Sequence, residues 1–263
     1  MTIPIIQVNA FTNRPFAGNP AAVCLLTESR NVEWMQAIAR EMNLSETAYL
    51  VPSGDVFNLR WFTPGAEVEL CGHATLASAH VLWERGLLDA GELATFSTAS
   101  GLLRCRQHDG WIEMDFPGLI EEATDIPDTL VDALGVTPVY SGRSKHDYIL
   151  QLQSEDLVRS LRPDFRQLSK LPIRGIIVTS ESTTSEYHFV SRFFAPAVGV
   201  DEDPVTGSAH CCLAPFWAKK LQQDSLTGYQ ASARGGVVQV RVDGERVVVR
   251  GQAVTVWEGE LLV

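Results

Sequence analysis

One unit is used twice in this chain, and that constrains its architecture more than any other feature. Arg60-Trp61-Phe62-Thr63-Pro64 leads to Cys71-Gly72-His73-Ala74, and Arg192-Phe193-Phe194-Ala195-Pro196 leads to Thr206-Gly207-Ser208-Ala209. Twelve positions separate Arg60 from Gly72 and fifteen separate Arg192 from Gly207, so the second copy carries a three-residue insertion. In each copy an aromatic strand stops at a proline turn. An acidic residue (Glu69, Asp203) then precedes a glycine that opens a helix of small residues. A repeated strand–loop–helix implies two pseudo-symmetric domains with the active site at their seam.

The length, 263 residues, is about twice the commonest domain size and suits that division. A net charge of −11 argues against a nucleic-acid partner, which needs a basic face. No basic-plus-apolar signal segment opens the chain, and no apolar run reaches the roughly 18–20 residues that span a bilayer. Five cysteines without paired spacing make no disulfide framework, and Cys211-Cys212 suits buried thiols in a reducing compartment. The expectation is a cytoplasmic protein with no membrane or nucleic-acid partner.

Most of the chain reads as short strands. Ile5–Phe11 alternates, Val56–Phe62 ends in aromatics, and Leu102–Gln107 with Trp111–Phe116 forms a hairpin around Asp109-Gly110. Val237–Val242, Arg246–Arg250 and Ala253–Trp257 repeat the style, with Asp243-Gly244 as a turn. Val32–Met42 has a helical apolar face, and a second helix starts at Pro127 and stops at Gly135. The stretches Ala74–Trp83 and Ala209–Ala218 carry no charged face, so each predicts a helix buried on all sides, the second kinked at Pro215. The fold class is therefore α+β, with two barrel-like, mostly antiparallel sheets, each wrapped round a central helix. The halves are read as residues 1–118 and 119–263, the last strand being free to pack with the first half.

Helix N-termini present unpaired N–H groups and about half a positive charge, and glycine lets a ligand approach closely. Gly72 and Gly207 therefore suit a shared carboxylate, although such glycines also serve simply to relieve packing at a strand-to-helix turn. His73 and Ser208 stand directly after the two glycines, and Asp203 stands four residues before Gly207. Capping suffices for Ser208 and solvent exposure for Asp203, while their convergence at both copies points to an active site. Glu46 opens an otherwise apolar strand. A carboxylate led into a core loses hydration of its charged form, as a general acid/base near neutrality requires; a solvated strand-end position is the plain alternative. The six His and five Cys show no metal-ligand spacing, and there is no dinucleotide or phosphate-loop fingerprint.

The segments Val8–Thr12, Phe16–Val23, Ala39–Ala48, Arg60–Ala74, Gly199–Ala209 and Arg234–Gly236 together resemble the PhzF-like isomerases of phenazine biosynthesis, within the diaminopimelate-epimerase-like fold. The resemblance runs over the whole chain. It implies a homodimer that uses neither metal nor organic cofactor and acts on a small carboxylate-bearing substrate. It makes Glu46 the general acid/base, with His73, Asp203 and Ser208 holding the substrate and assisting proton transfer. It places Asn19, Gly72, Ala74, Gly207, Ala209, Arg234 and Gly235 in the substrate-binding set.

In the racemase and epimerase relatives each half supplies a cysteine before the helix-opening glycine. Here Cys71 precedes Gly72 but Thr206 precedes Gly207, which argues against a two-thiol racemase and for a one-base proton shift. The alternatives are a one-thiol racemase or dehydratase of a proline-like acid using Cys71, and a non-catalytic binder of small acids.

Overall fold

The computed structural model describes residues 2–262, and the chain divides into two units: one runs to Asp115 and resumes at Arg250, and the other is Phe116–Val249. In the first unit the chain forms β1 (Ile3–Ala10), β2 (Asn19–Leu25), helix α1 (Val32–Met42), β3 (Glu46–Ser53), β4 (Val56–Phe62), β5 (Glu67–Val68) and helix α2 (Gly72–Glu84). It continues as β6 (Ala94–Thr98), β7 (Gly101–His108) and β8 (Trp111–Pro117). The second unit contains β9 (Glu122–Ala123), α3 (Asp128–Leu134), β10 (Tyr140–Arg143), β11 (Asp147–Gln151), α4 (Glu155–Ser160) and α5 (Phe165–Leu168). Then follow β12 (Gly175–Glu181), β13 (Phe189–Ala195), β14 (Val200–Asp203), α6 (Gly207–Leu221), β15 (Ser225–Gln230), β16 (Gly236–Asp243) and β17 (Arg246–Gly251), whose last two residues belong to the first unit. The last strand, β18 (Ala253–Leu261), pairs antiparallel with β1.

The repeat seen in the sequence is a repeat of strand pairing. β1 and β2 pair antiparallel, β2 and β3 parallel, β3 and β4 antiparallel, β4 and β6 parallel, and β6 and β7 antiparallel. The same series runs through β10, β11, β12, β13, β15 and β16. Each parallel pair needs a crossover, and helices supply it: α1 and α2 in the first unit, α4 with α5 and α6 in the second. Both units are thus α+β, with antiparallel pairs in the majority.

The arginine of the repeat has a structural task. Arg60 grips Glu67 on β5 through two bonds of 2.7 Å, and Arg192 grips Glu202 on β14 through bonds of 2.7 and 3.0 Å. Each guanidinium also lies over the aromatic ring two residues on, Phe62 at 5.3 Å and Phe194 at 4.9 Å. Glu67 and Glu202 both stand five residues before the helix-opening glycine, so they, and not Glu69 and Asp203, are the equivalent acids. The three inserted residues fall between Arg192 and Glu202, where the chain makes a 3-10 turn at Pro196–Val198.

Helix α1 forms over the expected residues because Asn31 caps it, its side chain accepting from Trp34 N–H at 2.8 Å, and Asn43 closes it in the left-handed conformation. Its apolar face meets Ile5, Ala22, Cys24, Tyr49 and Phe62 on one side of the sheet. Helix α2 packs against β1, β2 and β3, and His73 to Ala79, Val81 and Leu82 are all buried. Fully burying Leu76, Val81 and Leu82 contributes roughly 1.5–3 kcal/mol each.

Helix α6 runs through Pro215, as expected, and extends beyond Ala209–Ala218 to span Gly207–Leu221. Proline has no N–H to give the carbonyl four residues back, which is that of Cys211. Leu119 N–H donates to that carbonyl at 3.0 Å, so the gap in the ladder is filled from another segment of the same unit. Likewise Pro127 is the residue that caps α3, which starts at Asp128. Among the described residues no helix is long and apolar enough to cross a membrane.

Packing around α2 is tight enough to test. A Cβ on Gly251 would lie 2.4 Å from Phe11 Cδ1 and 2.7 Å from Leu76 Cδ1, all within the first unit. Gly251→Ala is expected to cost about 1–3 kcal/mol by overpacking, read as a lower urea midpoint at unchanged slope.

Candidate active site

Strand alternation delivers Glu46 to the helix side of its sheet. Tyr49 faces α1, so Thr47 does too, and Glu46 points the other way, level with Ala21 and Val8. Asn19 lies level with Ala10 at the start of β2 and shares that side. Helix α2 arrives there with Cys71 as its N-cap residue and His73 in its first turn. Four side chains from three segments of the first unit meet as a result. His73 Nε2 is 3.0 Å from Glu46 Oε2, His73 Nδ1 is 3.5 Å from Cys71 Sγ, and Asn19 Nδ2 is 3.3 Å from the same Nδ1.

These groups have little water to share. Cys71 and His73 are each 6% exposed, and the Glu46 side chain is 17% exposed. Burial on its own would lower the His73 pKa, but the negative charges it faces at Cys71 and Glu46 outweigh burial and raise it well above the ordinary value. Of those two, the carboxylate is the partner that counts near neutrality. Burial first, and the Glu46 charge second, push the Cys71 thiol up and keep it protonated. His73 Nε2 and Glu46 Oε2 thus stand in a close ion-pair contact without an aligned hydrogen bond between them.

Gly72 and Ala74 lie in the first turn of α2, and the second unit holds the remaining predicted residues around the start of α6. Thr206 is the N-cap residue; its hydroxyl donates to Asp203 Oδ2, and its N–H donates to Gln230 Oε1 at 2.8 Å. Gln230 Nε2 donates in turn to the Asp203 carbonyl at 2.8 Å. Gly207, Ser208 and Ala209 form the first turn, so Ser208 lies inside the helix and does not cap it. Arg234 and Gly235 follow a turn whose Ser232 hydroxyl donates to the Pro204 carbonyl at 2.7 Å and accepts from Gly235 N–H at 3.1 Å. Gly235 has a φ of +65°, and a Cβ there would strike the Tyr229 hydroxyl.

Both helix starts leave their dipoles exposed. Neither Cys71 nor Thr206 makes a side-chain cap bond, and neither first turn carries an acid, whereas α1, α3 and α4 each have one. The carbonyls of both N-cap residues are held instead from within. Thr75 Oγ1 donates to Cys71 O at 2.6 Å, and His210 Nδ1 donates to Thr206 O at 2.8 Å.

Register shows how far the two copies diverge. Thr47 pairs with Phe62 as Ile176 pairs with Phe194, so the counterpart of Glu46 is Gly175. A Cβ at Gly175 would lie 2.2 Å from the Phe193 ring, which fills that space. The positions matching Glu46, Cys71 and His73 are thus Gly175, Thr206 and Ser208. Sequence reading missed His210, buried in full at the first turn of α6, and Gln230, which ties that turn to Asp203. It also saw no ligand spacing, yet Glu46, Cys71 and His73 bring one donor atom each within 4.8 Å of one another.

Two units with one repeated pairing scheme define the fold shared with epimerases: a hydroxyproline epimerase of Agrobacterium vitis matches with a TM-score of 0.63 over 99% of this chain and 92% of that one, at 10% identity. The chain belongs to the phenazine biosynthesis-like protein family, PhzC-PhzF, whose model matches residues 8–259. A PhzF-family phenazine biosynthesis protein of Enterococcus faecalis superposes with a TM-score of 0.96 at 40% identity over the whole of both chains. An uncharacterized isomerase of Halalkalibacterium halodurans is 53% identical, again over 100% of each.

Proposed function

We propose that the protein is a cofactor-independent isomerase that moves a proton on a small carboxylate-bearing substrate, with Glu46 as general acid/base. The observation that carries this reading is the 3.0 Å pairing of Glu46 with His73 in a mostly dehydrated setting, together with membership of a family that includes named isomerases. Glu46 takes a proton from a carbon next to an unsaturated or carboxylate-bearing group and returns it to another carbon. His73 positions the carboxylate and balances the charge that changes during transfer. The uncapped starts of α2 and α6 suit the substrate carboxylate, and Asp203 and Ser208 supply further polar contacts. That both helix starts act on one substrate rests on the repeat in the sequence and on the family resemblance.

The asymmetry of the copies supports a single base. A racemase that inverts a stereocentre needs an acid on each face, and neither Gly175 nor Thr206 matches Glu46 or Cys71 in proton-transfer chemistry. Incubation with a panel of amino and cyclic carboxylic acids in heavy water tests the reading, deuterium in recovered substrate or product being the expected outcome.

One contact favours a second reading. Cys71 Sγ lies 3.5 Å from His73 Nδ1, which is the relation of a thiol to the base that activates it. Cys71→Ala decides between them: exchange within a few-fold of wild type is expected if Glu46 is the base. A loss of about 10²-fold or more would assign the proton transfer to the thiol.

A further inference from the structure

We propose that Cys71 and His73 form the seat of an inhibitory site for a soft divalent cation of the Zn²⁺ class, with Glu46 as the carboxylate behind the imidazole. The proposal rests on the reading of Glu46 as the base only for its inhibitory consequence; the cation seat stands on geometry alone. Zinc takes a thiolate at about 2.3 Å and an imidazole nitrogen at about 2.0–2.1 Å, so adjacent tetrahedral corners place sulfur and nitrogen about 3.6 Å apart. Cys71 Sγ and His73 Nδ1 are already 3.5 Å apart. A histidine that binds metal through one nitrogen usually donates the other N–H to a carboxylate, which fixes the ring. His73 Nε2 lies 3.0 Å from Glu46 Oε2, so a small turn of the ring on binding sets up that relation.

The donor chemistry selects the ion. A thiolate and an imidazole, each 6% exposed, favour zinc-like ions over magnesium or calcium, which take oxygen. The Asn19 side-chain amide nitrogen lies 3.3 Å from Nδ1 and is no ligand, so the remaining positions of the ion are open to water or a substrate carboxylate. Binding displaces the Cys71 thiol proton and the Nδ1 proton of the imidazolium, and no bond to carbon or change of oxidation state is involved. The thiolate formed at the start of α2 is stabilised by the helix dipole, which offsets the repulsion of that terminus for a cation. With the ion in place, the space beside Glu46 is filled, and the reacting carbon is kept from the base.

Cobalt(II) added to the full-length protein is the probe, because a cobalt–thiolate bond gives a charge-transfer absorption that a carboxylate or imidazole does not. One equivalent is expected to develop the band. Cys71→Ser abolishes it, Cys105→Ser leaves it unchanged, and Glu46→Gln keeps it with affinity weakened about 10–100-fold. His73→Gln, a second variant that keeps the thiol, is expected to lose tight binding too. Absence of the band in wild-type protein, or an undiminished band in Cys71→Ser, overturns the site. Zinc is then expected to suppress deuterium exchange by the wild-type enzyme, with a chelator restoring it. The two readings fail separately: exchange that persists in Glu46→Gln removes the base and leaves the cobalt band untouched, and a missing band leaves the base assignment intact.

Discussion

Glu46→Gln is expected to lower proton exchange into substrate by about 10²–10⁴-fold while leaving the fold and ligand binding in place. The size follows from what the substitution removes. Glutamine keeps the length and shape of the side chain, so a polar group still stands beside His73 Nε2, which is 3.0 Å from Glu46 Oε2 in the wild type. It cannot take up a proton, so only the transfer step is lost. The proposed binding of the substrate carboxylate does not depend on that proton, so KM should change little and kcat should carry the loss. Heavy-water exchange rates with saturation curves for both proteins measure the split. A wild-type rate in the variant would move the base elsewhere.

The second large effect concerns stability in acid. His210 is fully buried, donates from Nδ1 to the Thr206 carbonyl, and has no partner for Nε2 among the described residues. Burial lowers its pKa from 6.5 to about 4, against a smaller opposing contribution from the Thr206 carbonyl. Between those values the unfolded chain binds a proton that the folded chain refuses. Stability is therefore fully present above about pH 6.5 and falls as the pH drops toward 4. At 1.36 kcal/mol per unit this histidine accounts for a loss of about 3 kcal/mol by pH 4. His210→Asn keeps a donor for the Thr206 carbonyl and removes the titrating ring. The stability difference between wild type and variant should shrink by that amount from pH 7 to pH 4, as read from urea denaturation. A difference that does not change with pH would show that His210 takes up its proton in the folded protein.

Local chemistry made part of this fold legible. Helix α1 is bounded by Asn31 and Asn43, and Asp109-Gly110 and Asp243-Gly244 turn their hairpins, because caps and turns are short-range features. The charge-free helices α2 and α6 were readable because a helix without a polar face has to be buried. The pairing of β2 with β3 and of β11 with β12 was not readable, since parallel partners are joined by crossovers that leave no local signature. Continuation of α6 past Pro215 depends on Leu119, which is distant in sequence.

The candidate site divides in the same way. Glu46 and His73 stood out as residue types in unusual places, and Gly72 and Gly207 stood out by repetition. Their contact depends on β2–β3 register and on where α2 lands, which no periodicity encodes. Asn19 entered through family resemblance alone, and the structure gives it a partner in His73. His210 offered only a histidine beside two cysteines without ligand spacing, and a histidine among small residues in a buried helix otherwise looks like any core residue. The arginine of the repeat had no assigned task in the sequence, and its bond to Glu67 or Glu202 shows a clamp for a short strand.

The most direct test of the Glu46–His73 assignment is a side-by-side measurement of deuterium uptake from heavy water by wild type, Glu46→Gln and Cys71→Ala, on the same panel of small carboxylic acids. The account predicts uptake at a carbon next to an unsaturated or carboxylate-bearing group with wild type and Cys71→Ala, and none above background with Glu46→Gln. Uptake by Glu46→Gln at the wild-type rate, or its loss in Cys71→Ala alone, would contradict it.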